Sequence, residues 1–350
     1  MKRVTLLDIA KIAGVSHVTV SMALRDHPRI SKKTRERIQE IAKELGYRPD
    51  PVLSALIAYR RNVNQPANQG VLAWINNYRK PEFEHIGFRE YLAGARERSE
   101  EIGYKVEEFR LVDLDMSFKK LSTILRARNI QGLLFSPQER KNSHISSLSF
   151  NWEYFSAVTF GFTLVRPHLH VVTDTQFRSA RLAVQKLRSL GYRRIGCVTA
   201  RSFDERTDGN FLGGFLVEQL RFSASDRIPV FWFPEKGEPD AKFMEWRQAY
   251  QPDAIFDPTT TLCGLPAFAP GERNGCALAI VNASLHGEQY AGIGQNNPLI
   301  GRVAVDLVVA MIHANQRGIP SVPQRVLIEG QWVDGPSAPR VTGNRLKSAH

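Results

Sequence analysis

The stretch Ser16-His17-Val18-Thr19-Val20-Ser21-Met22-Ala23-Leu24-Arg25 carries the side chains best placed to read another molecule. On a helix, His17, Val18, Ser21, Met22 and Arg25 fall at spacings of one, four, five and eight and share one face. Val20, Ala23 and Leu24, with Val15 just ahead, share the other. An imidazole, a hydroxyl, a thioether and a guanidinium in one stripe match what base edges present in a major groove: donors, acceptors and methyl groups. The same stripe also suits the solvated face of a small helical bundle, so spacing alone leaves both readings open. Enzymatic chemistry has no comparable cluster. The chain contains no G-x-S-x-G, H-E-x-x-H or P-loop. Its nine histidines are scattered, and His168 and His170 at spacing two are a weak metal signal. Cys197, Cys263 and Cys276 form no C-x-x-C pair and read as small buried thiols of a reducing compartment. No cofactor and no metal are expected, and the chain does not read as an enzyme.

The elements that must position the stripe are legible just before and after it. Thr5 and Asp8 fit a helix-start pair in which each satisfies the other's orphan backbone N–H, ahead of Leu6, Ile9, Ala10 and Ala13 at helical spacing. Gly14 stops that helix, Ser16 caps the next, and Ser31 caps a third that runs to about Leu45. Two helices joined by a three-residue turn make a helix-turn-helix, whose second helix enters the groove. Ser31 and Thr34, at the start of the third, could hold a phosphate against the helix N-terminus. The basic residues Lys32, Lys33, Arg35 and Arg37 that follow read equally as a solvated face. Charge agrees with a polyanion partner. Residues 1–61 hold 13 Lys/Arg against 6 Asp/Glu, a balance of +7 out of +12 for all 350 residues. A composition of 43% apolar and 23% charged residues excludes wholesale disorder, and the length predicts two or three domains. Asp8 and Lys11 interrupt any signal-peptide core, and no run of 18 apolar residues could span a membrane, so a cytoplasmic protein is expected.

Residues 4–61 resemble the DNA-binding head of the LacI/GalR family of bacterial transcription regulators. The resemblance rests on Thr5-Leu6 with Asp8-Ile9-Ala10, Ala13-Gly14-Val15-Ser16, Thr19-Val20-Ser21, Thr34-Arg35, and Leu45-Gly46-Tyr47 followed by Arg48-Pro49. It implies DNA contacts from Ser16, Thr19 and Ser21, with His17, Val18 and Met22 choosing the operator, and Thr5, Leu6, Ser31 and Thr34 are further candidate contacts. Met22 stands where the family usually has Arg, and Arg25 where it has Asn. Met22 cannot make the bidentate guanine contact of an arginine, so a different operator is expected, with Arg25 recovering a polar contact. Asp50-Pro51 opens a short apolar segment, about 50–59, which is too short to be a stable helix alone. The resemblance makes it the hinge helix that pairs with its dimer mate, with Leu56 wedged into the minor groove.

The rest of the chain alternates β-type runs with amphipathic stretches, the pattern of parallel sheets covered by helices. It resembles the same family's effector domain, which is like a periplasmic sugar-binding protein. The expected architecture is an all-α helix-turn-helix head (1–61), a linker (62–70), a two-lobed α/β domain of doubly wound sheets (71–335) and a disordered tail (336–350). Lobe 1 is expected at about 71–162 and 293–322, and lobe 2 at about 163–292 and 323–335. Val303, Leu307, Ala310 and Met311 recur at helical spacing and read as core or as a subunit interface. Three of the family's polar effector anchors are replaced. Phe211 stands near the expected Arg, Pro258-Thr259-Thr260-Thr261 replaces an Asn-Asp pair, and Asn282-Ala283-Ser284 replaces a Gly-aromatic-Asp loop. Asp174, Arg206, Phe211 and Asn282 remain as candidate effector contacts, with Asp174 also readable as a strand-end cap. The resemblance implies a homodimeric repressor of a near-palindromic operator, controlled by a small-molecule effector for which a carbohydrate-like compound is one candidate. A ligand-independent DNA-binding regulator is the alternative, and a solute-binding protein the reading from another class.

Overall fold

The computed structural model describes residues 4–24, 30–45, 47, 69–78, 86–111, 117–138, 143–145, 150–234, 240–265, 268 and 275–341. Arg25, Leu56 and the whole hinge segment 50–59 lie outside them, as does most of the linker. The chain divides into two units, residues 1–67 and 68–350.

The first unit holds α1 (Leu6–Ala13), α2 (His17–Leu24) and α3 (Lys32–Glu44). Each starts as its sequence dictates. Thr5 and Asp8 form a reciprocal capping box, with Thr5 N–H donating to Asp8 Oδ2 at 2.8 Å and Asp8 N–H to Thr5 Oγ1 at 3.4 Å. Ser16 Oγ accepts from Thr19 N–H at 3.1 Å, and Ser31 Oγ from Thr34 N–H at 3.3 Å. Gly14 ends α1 at φ 64°, a left-handed conformation that costs glycine little. Ile9, Ala13, Val20, Ala23, Ile38 and Ala42 are buried together where the three helices meet.

In the second unit the elements run β1 (Gly70–Asn76), α4 (Ile86–Glu101), β2 (Tyr104–Arg110), α5 (Phe118–Ala127), β3 (Gly132–Phe135), β4 (Ser143–His144), β5 (Ser156–Phe160), β6 (Leu164–Arg166), β7 (His170–Asp174) and α6 (Gln176–Ser189). They continue with β8 (Ile195–Ala200), α7 (Arg201–Arg206), α8 (Asn210–Gln219), β9 (Phe231–Phe233), α9 (Asp240–Tyr250), β10 (Ala254–Asp257), β11 (Ala277–Val281) and β12 (Ala291–Gly294). The last are α10 (Asn297–His313), β13 (Arg325–Ile328) and β14 (Gln331–Val333). Two six-stranded sheets result, ordered β13-β7-β5-β3-β1-β2 and β14-β12-β11-β10-β8-β9. Every pairing in them is parallel except β12 with β14.

Strand alternation decides which helix each face meets. Leu72 and Trp74 of β1, with Leu134 and Val158, pack on α4 and α10, while Ala73, Ile75, Leu133 and Phe135 pack on α5 and the Phe150–Phe155 segment. α4 and α10 cross closely at two glycines. A Cβ on Gly301 would sit 1.9 Å from Tyr91 O, and one on Gly94 2.0 Å from Pro298 O. The buried face of α10 is Ile300, Gly301, Ala304, Val305, Val308 and Val309, with Met311 also buried. Val303 and Leu307 are only half-buried and Ala310 is exposed. The stripe expected from sequence is therefore mostly the helix's outer face, with Met311 on the core.

The chain crosses between sheets after β7, after β12 and after β13. The expected lobe boundaries near 162 and 322 are corrected accordingly: β7 and β13 both belong to the first sheet, paired with each other at its edge. That pairing sets Val171 beside Arg325, far apart in sequence, which no local pattern reveals. The tail expectation is corrected for residues 336–341. Ala338 is buried, Tyr192 Oη donates to Pro339 O, and Val341 N–H donates to Leu190 O at 2.8 Å. The Pro/Ser/Gly-rich sequence reads as loose, yet these residues cover the apolar end of α6. Residues 342–350 lie outside the described set.

Candidate functional site

In the first unit the candidate surface is α2. Val20 and Ala23 point into the core, which turns the opposite face outward. His17 is exposed, and Thr19 and Met22 are half-buried. Val18 and Ser21 lie on the same helix, but their side chains are outside the described set. The residues around α2 are occupied by structural contacts. Ser16 caps it, and the Ser16 and Thr19 hydroxyls share a hydrogen bond at 2.9 Å. Thr5 is held by Asp8, and Leu6 leans on the core. The Ser31 and Thr34 hydroxyls pair at 2.8 Å. Arg37, read as part of a basic face, donates to Ala13 O at 2.8 Å and ties α3 to the end of α1. The turn at Gly14 is thus fixed from both sides, and α2 is presented at a set angle.

In the second unit, Asp174, Arg206, Phe211 and Asn282 all line one cleft of about 170 Å³. It opens at the C-terminal ends of the parallel strands, where such sheets leave room for ligands. Pro137 follows β3, Gly161, Phe162 and Thr163 follow β5, Pro258 and Thr259 follow β10, and Asn282 follows β11. Asn282 adopts φ 53° and its Oδ1 accepts from Asn297 Nδ2 at 2.9 Å.

Asp174 sits where the chain leaves the first sheet. It is fully buried and accepts from Thr173 Oγ1 (3.2 Å), Gln176 Nε2 (3.3 Å) and Gln295 Nε2. Burial pushes its carboxyl above the ordinary aspartate value, against the pull of those three donors. Gln295 lies at the second crossing, so this carboxylate fastens two crossings together. Thr175 Oγ1 and Asn296 Nδ2 reach the third through Glu329, at 3.2 and 2.7 Å. Asp174 is thus both a cleft residue and the fastening of the crossings.

Arg206 bridges the lobes. From the end of α7 it donates to Gln138 O at 3.0 Å and Tyr78 Oη at 3.3 Å, both on loops of the first sheet. Nearby, Arg325 of the first sheet lies over Phe162 at 5.2 Å and 3.9 Å from Asp208. Phe211 is buried and stacks on Phe203, 5.9 Å between ring centres. Phe88, Tyr91 and Phe162 extend the aromatic wall, and Gln176, Gln295 and Asn297 add amides. Sequence reasoning does not single out these residues. Position is the available signal: several directly follow a strand, as Asn282 does. Among the described residues there is no His/Cys/Asp/Glu group that could hold a metal and no helix long and apolar enough to cross a membrane.

A sequence profile described as bacterial regulatory proteins, lacI family, matches residues 5–50, the span that includes α1, α2 and α3. This head is similar to that of the LacI family. Among related proteins, the HTH-type transcriptional regulator DegA of Bacillus subtilis (strain 168) is 26% identical over 278 residues, covering 73% of this chain and 72% of its own. The sucrose operon repressor of Streptococcus mutans is 25% identical over 256 residues, 72% of each chain. The repressor CytR of Escherichia coli (strain K12) is 27% identical over 203 residues, 55% of this chain and 53% of its own. Among solved structures, the regulator CelR–cellobiose complex aligns with a TM-score of 0.57 at 20% identity, covering 96% of this chain and all of that one. The lac repressor dimer bound to operator and an anti-inducer aligns at 0.52 and 17%, covering 97% and 100%. At these identities the structural likeness establishes the fold: a LacI-type head joined to a two-sheet periplasmic-binding-like body.

Proposed function

We propose that this chain is a LacI-type, sequence-specific transcription regulator that represses by docking two heads on a near-palindromic operator in the cytoplasm. The observation that carries this is the helix-turn-helix itself: a cap-defined α2 with His17 exposed and Met22 half-buried beside it, inside the segment matching the family profile. DNA contacts are assigned to Thr5, Leu6, Ser16, His17, Val18, Thr19, Ser21, Met22, Arg25, Ser31 and Thr34. Leu56 is assigned the minor-groove wedge, so Leu56→Ala lowers operator bending in a gel-permutation assay. Homodimerisation is supported by the half-open apolar stripe of α10, Val303, Leu307 and Ala310, and by the related lac repressor being a dimer on its operator. No enzymatic role is assigned. The test is footprinting on the DNA beside its own gene: a protected near-palindrome supports the reading, and uniform, sequence-independent protection rejects it.

The cleft is assigned a small-molecule effector that biases the two lobes and, through the hinge, whether the heads can pair. Its aromatic walls and amides suit a ring compound with polar edges, and the related CelR structure contains cellobiose. A second reading, a regulator that needs no ligand, draws support from Asp174 and Arg206, both of which make hydrogen bonds within the protein. Thermal unfolding against a metabolite panel separates the two, because a ligand of the native state raises the melting temperature.

A further inference from the structure

We infer that the outer face of α6 and α8 is a docking surface for an acidic amphipathic helix of another protein. Residues 176–194, α6 and the turn after it, hold six Arg/Lys and no Asp or Glu. That exceeds the +5 left for residues 62–350 once the head is set aside. Helical spacing brings the α6 cations to one side. Ser179, Ala180, Ala183, Val184 and Leu187 face the core, so Arg178, Lys186 and Arg188 stand in solvent and Arg181 at the border with α8. The nearby carboxylates do not cancel them. Arg181 Nε holds Glu218, buried on α8, at 2.7 Å, and Arg178 holds Glu329 at 3.2 Å. With Arg221 added, its side chain 64% exposed, seven cations face these two acids.

Two further features separate this face from an ordinary solvated one. The first is apolar. Leu216, Val217 and Leu220 are exposed on and just after α8, Leu220 by 67%, and make three of the ten large apolar side chains exposed among the described residues. Val217 and Arg221 are one turn apart, as are Leu216 and Leu220, so an apolar stripe runs beside the cations. Exposed apolar clusters rimmed by polar groups mark interaction surfaces. The second is a recess of about 390 Å³ between α6 and the third crossing, lined by Arg178, Ser179, Arg181 and Leu182 and by Gly330. Ser179 Oγ is buried in this lining without a hydrogen-bond partner. A carboxylate entering the recess would accept from that hydroxyl and lie against two guanidinia. A partner that satisfies the whole face therefore carries acids on one flank and leucine-like groups on the next, as an amphipathic acidic helix does. The phosphate backbone of DNA has the charge but no apolar flank for Leu216 and Leu220.

The test is fluorescence anisotropy of the full chain with a labelled synthetic helical peptide of about 18 residues, leucines on one face and glutamates on the adjoining flank. A peptide of the same residues in scrambled order is the control. The ordered peptide binds at least about tenfold more tightly than the scrambled one. Replacing the three exposed arginines together, by Arg178→Gln, Arg188→Gln and Arg221→Gln, weakens it by about tenfold at low salt. Arg181 is left in place to hold Glu218. Leu220→Ser weakens it by about tenfold at low and high salt alike, because burial of a leucine is not screened. The replaced side chains are exposed, so operator affinity and melting temperature stay unchanged. Equal binding of the two peptides overturns the inference, as does no binding of either. So does unchanged affinity in both variants, and Leu220→Ser decides should the triple variant fail to fold. Variants that lose affinity for non-operator duplex DNA or for phosphatidylglycerol vesicles, while binding the peptide as before, assign the face to nucleic acid or lipid and overturn it too.

Discussion

On the face of α2 proposed to meet DNA, Met22 limits the contacts available. A thioether has no donor, so it favours apolar contact such as a thymine methyl over the guanine edge an arginine would grip. Met22→Arg is expected to move the preferred base at one position of each half-site toward guanine, by about 1–3 kcal/mol, read by binding-site selection. Asp257 carries a different single-residue prediction. It is fully buried at the end of β10, accepting from Thr259 N–H (2.9 Å), Thr259 Oγ1 (2.6 Å) and Leu262 N–H (2.8 Å). Burial nevertheless raises its pKa to about 6. Between its ordinary value and 6 the folded state binds more protons than the unfolded, so stability falls as pH rises through this window. The loss from this group is roughly 3 kcal/mol between pH 4 and pH 7, at about 1.4 kcal/mol per pH unit across the window. Asp257→Asn is expected to flatten that slope in denaturant unfolding measured across the window. An unchanged slope would show that other groups set it.

At the scale of elements, caps and close approaches are unequally legible. The Thr5–Asp8 box, Gly14, Ser16 and Ser31 can be read from sequence because each acts within four residues of itself. Thr5→Ala is expected to cost about 1 kcal/mol and to speed hydrogen exchange of the α1 amides, leaving those of the body untouched. The glycines of α4 and α10 cannot be read as contacts, since each is defined by the other helix. Gly301→Ala would drive a methyl into Tyr91 O, and the helices must part. The expected cost is about 1–3 kcal/mol, seen as a lower melting temperature of the full chain. Periodicity also misjudges α10. Apolar residues occupy more than one face of it, so only packing tells that Ile300, Ala304, Val305 and Val308 face the sheet and Val303 and Leu307 the rim.

For the whole molecule, charge makes the broadest claim. Most of the +12 sits in residues 1–61, so affinity for duplex DNA is expected to fall steeply and linearly with log salt. A flat response would remove phosphate contacts from the account. Asp174, Arg206, Phe211 and Asn282 stand out from sequence although they are 108 positions apart at the extremes, and they line one cleft. Arg206, Phe211 and Asn282 are found because each stands at or near a place where the family resemblance marks an anchor, and Asp174 because it ends a strand. Gln176, Gln295, Asn297 and Phe88 are missed, since their nearness to those four arises from the crossings between sheets. The same crossings move the lobe boundaries, because a strand is assigned to a sheet by its partner rather than by its own sequence.

By itself, the sequence determined what local physics controls: three capped helices with one buried face each, a basic head, and strands alternating with helices. It also carried the likeness of residues 5–50 to the LacI family, through residues whose order and spacing leave little freedom. Tertiary structure alone decided that β7 and β13 close the first sheet, that Asp174 binds the crossings together, and that residues 336–341 cover α6. It also laid the apolar stripe of α8 beside the cations of α6. Each of those depends on which distant groups share a small volume, and a linear pattern carries no distance between them.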